Sequence, residues 1–315
     1  MSLASLAHAS GNPRWIWSDG KIIAWDQATV HVNAAGHAGV TAVFEGIKAY
    51  VSRDGGHLQA FRLDDHLARL LHSARICRLD VPFDLAEARE GVLELLRVNE
   101  YRTDTYVRPW IFPEGVIREV MVPDGARCRL VIDSWPFQSA LGAPRGCRAA
   151  VSSWTRPPDA STPARVKAFA NYHNGRLALI EARQNGHDFP ILLNDRRKVS
   201  EAPSSCVALV RDGQVVTPSL TSDVLQSITA GTVAELCAQL GIAMVHREVD
   251  RTELYLADEL FLMGTGVEVL PIGAIDGLPV GDGSAGPVTS RIRQAYQDLV
   301  RGAGSPAHAG WLSPV

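Results

Sequence analysis

Apolar runs bounded by turn residues dominate the first sixty positions. Trp15-Ile16-Trp17 and Lys21-Ile22-Ile23-Ala24-Trp25 flank Ser18-Asp19-Gly20, which predicts a β-hairpin. A second apolar stretch, Val40 to Tyr50, reads as strand and ends at Asp54-Gly55-Gly56. The spacing then becomes helical. Leu67, Leu70, Leu71 and Ala74 recur at i, i+3, i+4 and i+7 behind Asp64, which predicts a helix capped by that aspartate. Pro82 interrupts the chain, and Asp84 caps a second helix carrying Val92, Leu93, Leu95 and Leu96. Strands are predicted at 105–112 and 128–133.

The pattern breaks at residues 134–163, where Pro136, Pro144, Gly146, Pro157-Pro158 and Pro163 accumulate. Residues 134–146 therefore read as a linker between two domains. The alternation resumes afterwards. Helices are predicted at 172–184, 228–240 and 287–301, with a short one near 252–257. Strands are predicted at 189–193, 206–211, 242–249 and 259–263. Gly241 suits a left-handed cap for the 228–240 helix. The expected division is a small α/β domain over 1–134, a linker or lid over 135–146, and a larger domain over 147–315.

Composition narrows the class of protein but not its task. Of 315 residues, 46% are hydrophobic and 21% charged, a globular balance. The net charge of -3 offers no basic excess, so a nucleic-acid partner is not expected. No apolar run reaches the roughly 18 residues of a membrane span. Five widely spaced cysteines lack any CxxC pair and read as reduced thiols in the cytoplasm. Met1 to Pro13 lacks the basic start and apolar run of a signal peptide. The ten histidines show no metal-binding spacing, so no metal is expected.

Chemistry has few local markers, since GxxxxGK[ST], GxGxxG and GxSxG are all missing. Ser227-Ile228-Thr229 opens a helix, where N–H groups and the dipole attract phosphate. Those residues are also ordinary helix caps. Thr265 lies between Gly264 and Gly266, which let a backbone approach a ligand but equally form plain turns. Lys167 sits among apolar neighbours, a setting that can make an amine nucleophilic, although most lysines are solvated surface residues. Glu201 by itself is a loop carboxylate. His37, His66 and His72 read as surface or capping residues without a catalytic role.

An ordered set of segments gives these candidates a context. It comprises Val43-Phe44-Glu45-Gly46-Ile47-Lys48-Ala49-Tyr50, Phe61-Arg62-Leu63 with His66 and Arg69-Leu70, and Tyr106-Val107-Arg108-Pro109. It continues through Val151 to Trp154, Lys167 with Asn171-Tyr172, Val199-Ser200-Glu201 and Ile228-Thr229. It ends with Tyr255 to Glu259, Gly264-Thr265 with Glu268, and Gly286 to Thr289. With these segments the chain resembles the fold-type IV pyridoxal-phosphate enzymes, and most closely the branched-chain amino acid aminotransferases, from about Trp17 to Val315.

The resemblance implies an α/β (α+β) fold of two domains, the larger with a barrel-like β core, and pyridoxal 5'-phosphate as cofactor. It implies that Lys167 carries the cofactor and moves the proton between Cα and C4'. Glu201, 34 residues on, would bond the pyridine nitrogen and keep it protonated. Arg69, Ile228, Thr229 and Thr265 would form the phosphate cup, and Tyr172 would bond the 3'-oxygen. Phe44, Tyr106, Arg108 and Gly266 would contact substrate. The implied reaction moves an amino group between an apolar, branched-chain-like amino acid or amine and a 2-oxo acid such as 2-oxoglutarate. A homodimer or higher homo-oligomer is expected.

Several positions depart from that pattern. Ala202-Pro203-Ser204-Ser205-Cys206 replaces a glycine-containing turn and an asparagine. Gln226-Ser227 stands where Pro-Gly is usual. Phe137 and Ala140 replace a tryptophan and a tyrosine, Gly266 replaces an alanine, and Gly39 stands near a missing tyrosine. Most of these changes remove bulk. They keep open an (R)-amine transaminase, a D-amino acid aminotransferase or an aminodeoxychorismate lyase as the alternative activity.

Overall fold

The computed structural model describes residues 12–119, 121–142 and 145–315. Pro144 and the start of the chain through Gly11, which entered the linker and signal-peptide readings, lie outside the described residues. In chain order the first half contains β1 (Trp15–Ser18), β2 (Lys21–Ala24), α1 (Val32–Thr41), β3 (Val43–Phe44), β4 (Ile47–Val51) and β5 (Leu58–Phe61). It continues with α2 (Leu63–Ile76), α3 (Leu85–Asn99), β6 (Thr105–Pro113) and β7 (Cys128–Pro136). Then come β8 (Cys147–Thr155), α4 (Tyr172–Gln184), β9 (Phe189–Leu193), β10 (Glu201–Ala202), β11 (Ser205–Arg211), β12 (Gln214–Pro218) and α5 (Ile228–Gln239). The last elements are β13 (Met244–Arg247), β14 (Glu259–Gly264), β15 (Glu268–Ile275), β16 (Leu278–Pro279), α6 (Pro287–Val300) and β17 (Leu312–Pro314).

The chain divides into two compact units. The first comprises residues 1–138, 166–170 and 300–315, and the second comprises 139–165 and 171–299. Both are discontinuous in sequence, so the segment bearing Lys167 belongs to the first unit.

The first unit is built on one sheet with strand order β17-β5-β4-β6-β7-β1-β2, with β3 paired to β6. Its strands are antiparallel. Leu63, Leu67, Leu70 and Ala74 of α2 share a core with Ala88, Val92, Leu95 and Leu96 of α3. Ile47, Ala49, Val107, Ile111 and Leu130 meet them from the sheet. Because side chains alternate along a strand, burying Thr105, Val107, Pro109 and Ile111 turns Tyr106, Arg108 and Trp110 to the opposite face. That second face carries three aromatic and charged residues, two of them predicted to contact substrate.

The second unit holds a sheet of order β13-β12-β11-β14-β15-β8-β9, with β10 on β11 and β16 on β15. Parallel pairs (β12 with β13, β15 with β8, β8 with β9) join antiparallel ones. Strands β11 and β14 are buried on nearly every residue, as expected of strands covered on both faces. Among the described residues no helix is long and apolar enough to cross a membrane.

Three local predictions need correction. Part of the Val40–Tyr50 strand is the end of α1, a helix the apolar pattern hides because glycine, valine and threonine are poor helix formers. Asp64 lies inside the first turn of α2, not at its cap. The cap position is Arg62 in a left-handed conformation, and Asp64 instead favours the positive end of the helix dipole. Strands β8, β12 and β15 fall where no strand was predicted. By contrast, Asp84 forms a full capping box with Glu87, and α4 spans the predicted 172–184.

Candidate active site

Lys167 is held by its backbone. Its carbonyl accepts the Phe44 N–H (2.9 Å), its own N–H donates to Ser73 Oγ (3.2 Å), and Val43 bridges to Ala168. Val166 and Ala168 enter the core on either side, so the lysine side chain leaves on the other face. Its Nζ stands 4.7 Å from the centre of the Phe44 ring, which stacks on Phe169 at 4.2 Å.

A charged cluster lies in the same unit. Glu45 is fully buried, and its carboxylate receives Arg69 Nε at 2.6 Å and Nη2 at 2.8 Å. His66 Nδ1 is 2.8 Å from the same carboxylate, and the Gly46 N–H donates to it at 3.2 Å. Burial alone would push the Glu45 carboxyl up. The Arg69 charge and the hydrogen bonds from His66 and Arg69 outweigh it and hold the group well below the usual carboxylate range. Burial lowers the His66 pKa, and Glu45 opposes that shift. The reading of His66 as a surface or capping residue is thus corrected: it is buried in an ionic core. His72 is exposed, and His37 Nε2 meets the Glu119 carbonyl at 3.1 Å.

The outer face of β6 and β7 carries paired aromatic and charged residues. Tyr106 lies opposite Trp135 in register and stacks on it at 5.1 Å, with Phe137 5.4 Å away. Arg108 lies opposite Asp133 and grips it through Nε (3.1 Å) and Nη2 (2.7 Å). The guanidinium also sits 5.1 Å from the Trp135 ring centre and 5.5 Å from that of Trp110. A side chain at Gly46 is excluded, because a Cβ there would fall 1.7 Å from Tyr106 Oη.

The remaining predicted residues belong to the second unit. Glu201 is buried at 5% exposure. Arg156 Nη2 lies 3.0 Å from one oxygen, and the Leu225 N–H donates to the other at 3.2 Å. Cys206, directly across the β10–β11 pair, donates through Sγ to the carbonyl of the same Leu225. At the start of α5, Ser227 Oγ accepts the Ala230 N–H, while the N–H groups of Ile228 and Thr229 lead the helix. Thr265 and Gly266 lie in the turn between β14 and β15, and Tyr172 is the half-buried first residue of α4. Among the described residues no group of three or more His, Cys, Asp or Glu could hold a metal ion.

The family model described as amino-transferase class IV matches residues 42–275. The chain belongs to this family. It is 38% identical over 305 residues to a branched-chain-amino-acid aminotransferase of Salmonella typhimurium, covering 96% of this chain and 97% of the relative. The branched-chain amino acid aminotransferase of Thermobaculum terrenum, solved in its PLP form, superposes with a TM-score of 0.93 at 40% identity, covering 97% of this chain and 99% of that one. The branched-chain aminotransferase of the thermophilic archaeon Thermoproteus uzoniensis, solved with norvaline, gives 0.90 at 36% identity, covering 96% and 99%. The expected fold-type IV membership, mixed α/β architecture and pyridoxal-phosphate-dependent aminotransferase activity are borne out.

The chemistry of this class IV aminotransferase chain suits that cofactor. Lys167 offers an amine and Arg69 a guanidinium, Glu201 is a buried carboxylate, and Ile228 and Thr229 present helix-start N–H groups. Sequence reasoning missed Glu45 and Arg156, the counterions of Arg69 and Glu201. The one signal for Glu45 is a lone carboxylate inside the apolar run Val43 to Tyr50.

Proposed function

We propose that the chain moves an amino group between an apolar, branched-chain-like amino acid and a 2-oxo acid such as 2-oxoglutarate. The observation that carries this reading is the likeness to branched-chain-amino-acid aminotransferases across 96% of the chain. The presence of a lysine, a glutamate and an arginine at the positions this likeness calls for supports it. The reading includes a cytoplasmic homodimer.

When bound, the cofactor supplies an aldehyde carbon that exchanges the amino group and a ring that takes up the electron pair left at Cα. Lys167 holds it through Nζ. The same Nζ, as a free amine, would take the Cα proton and deliver it to C4'. Glu201 keeps the ring nitrogen protonated, and Arg156 with the Leu225 N–H fixes the carboxylate in the orientation this requires. Arg69, the N–H groups of Ile228 and Thr229, and Thr265 hold the phosphate. Tyr172 bonds the 3'-oxygen. Arg108, Tyr106 and the Thr265–Gly266 turn orient the substrate, and Phe44 gives its side chain an apolar wall. The two half-reactions run the same residues in opposite directions.

A donor panel read in single half-reactions tests this. L-leucine should bleach the yellow protein and 2-oxoglutarate should restore it. Bleaching by D-alanine or (R)-1-phenylethylamine without L-leucine would reassign the donor. Consumption of aminodeoxychorismate without amino transfer would reassign the reaction.

A further inference from the structure

Glu268 has no part in the chemistry above, yet it is closely constrained. It is fully buried, and its backbone is left-handed at φ 57°, a conformation uncommon for a side chain of this kind. It is the first residue of β15, directly after the Thr265-Gly266-Val267 turn, and pairs across that turn with Gly264.

Its oxygens face the linker. Ser139 Oγ lies 2.9 Å from each of them, and the Ala140 N–H donates at 2.6 Å. Other bonds fix the same segment. The Leu141 N–H donates to Ser139 Oγ at 3.3 Å, and Arg293 donates to the carbonyls of Ala140 (3.4 Å) and Leu141. Ala140 and Leu141 are buried, which a loop tolerates only when its backbone polar groups are answered in this way. The attraction between Glu268 and Arg293 closes the network.

We propose that Glu268 is a positioning residue: it ties residues 139–141 to the Thr265–Gly266 turn, so that the two move as one piece and the turn keeps the shape that receives the substrate carboxylate. This rests on the transaminase reading. It adds a reason for placing a strained, buried acid three residues beyond Thr265, where glycine would be the relaxed choice.

Two substitutions separate the carboxylate from the backbone. Glu268→Gly relieves the left-handed conformation but removes the acceptor oxygens. Glu268→Gln keeps the size and places an amide against the Ala140 N–H. Both should raise KM for L-leucine and for 2-oxoglutarate roughly tenfold, the worth of a lost charged hydrogen bond. In both, kcat and the absorbance of the bound cofactor should stay close to the starting protein. Ser139→Ala should raise both KM values about two- to threefold, and it decides the matter should either Glu268 variant fold poorly.

Amide hydrogen exchange over residues 138–142 and 264–268 reads the same tie without turnover and should speed up in both segments together in Glu268→Gly. Unchanged KM in Glu268→Gly and Ser139→Ala, or faster exchange in only one segment, overturns the proposal. A starting protein inactive with every donor, but with coupled exchange, would fault the transaminase reading and leave the tie standing.

Discussion

Glu45 and Glu201 are both buried carboxylates answered by an arginine, but their surroundings differ. Glu45 takes two contacts from Arg69, one from His66 and one from the Gly46 N–H. Glu201 takes Arg156 and the Leu225 N–H. A buried acid surrounded by donors from its own chain serves structure. Glu201 is the carboxylate proposed to meet the ring nitrogen, and Arg156 and the Leu225 N–H fix its orientation. The first should therefore govern stability and the second chemistry.

Substitution at Glu45 should give the largest effect. Glu45→Gln leaves the Arg69 charge facing an uncharged amide in a dry interior and should cost about 3–5 kcal/mol. Thermal unfolding should show a fall in Tm of roughly 10 °C. In protein that remains folded and loaded, kcat should change less than threefold. A large fall in kcat at unchanged Tm would erase the distinction between the two carboxylates.

Glu201→Gln should do the reverse. Loss of the charge at the ring nitrogen should lower kcat roughly 100- to 1,000-fold, in the range of other electrostatic stabilisers. The accompanying change in Tm should be smaller than that of Glu45→Gln, because Arg156 also donates to the Asp223 carbonyl. Steady-state rates on cofactor-saturated protein measure this. Arg156→Lys keeps the charge but loses the planar fork, and a smaller fall, roughly tenfold, is expected in the same assay.

The smallest effect is in the pH dependence of stability. Glu45 has a depressed pKa, so its contribution is present above the unfolded carboxylate value of about 4.3 and is lost as pH falls toward the folded value. The His66 pKa is also lowered, so its contribution is present above about 6.5 and fades as pH falls through the folded value. Both make acid destabilising, in separate windows. His66→Gln should flatten the decline that begins below about pH 6.5, while the one below about 4.3, which the Arg69 charge chiefly sustains, should remain. Denaturant midpoints measured between pH 3 and 7.5 would show whether the windows separate.

The sequence revealed regular elements better than the interactions between them. The α4 and α5 helices and the β1–β2 hairpin were legible because capping residues, turn glycines and apolar spacing are local signals. Helix α1 was not, since its glycines and β-branched residues favour other conformations in isolation and only its tertiary setting makes it helical. Strands β8 and β15 escaped notice because they are specified by partners far along the chain, including each other.

Candidate site residues were named from family likeness, not from local physics. Lys167 looks like any lysine until the strand pairing at Val43 and Ala168 turns it away from the core. Glu45, Arg156 and Glu268 carried no readable role for a related reason. Each matters through a partner at long separation: Arg69, Glu201 and Ser139 respectively.

In the proposed reaction Lys167 both holds the cofactor and moves the proton. The most direct measurement is a single-turnover absorbance experiment with L-leucine on the starting protein and on Lys167→Ala, each reconstituted with pyridoxal 5'-phosphate. The starting protein should lose its yellow absorbance within seconds and regain it with 2-oxoglutarate. Lys167→Ala should show no proton-transfer phase, with a rate at least roughly 1,000-fold lower. Bleaching of Lys167→Ala at the rate of the starting protein would contradict the account.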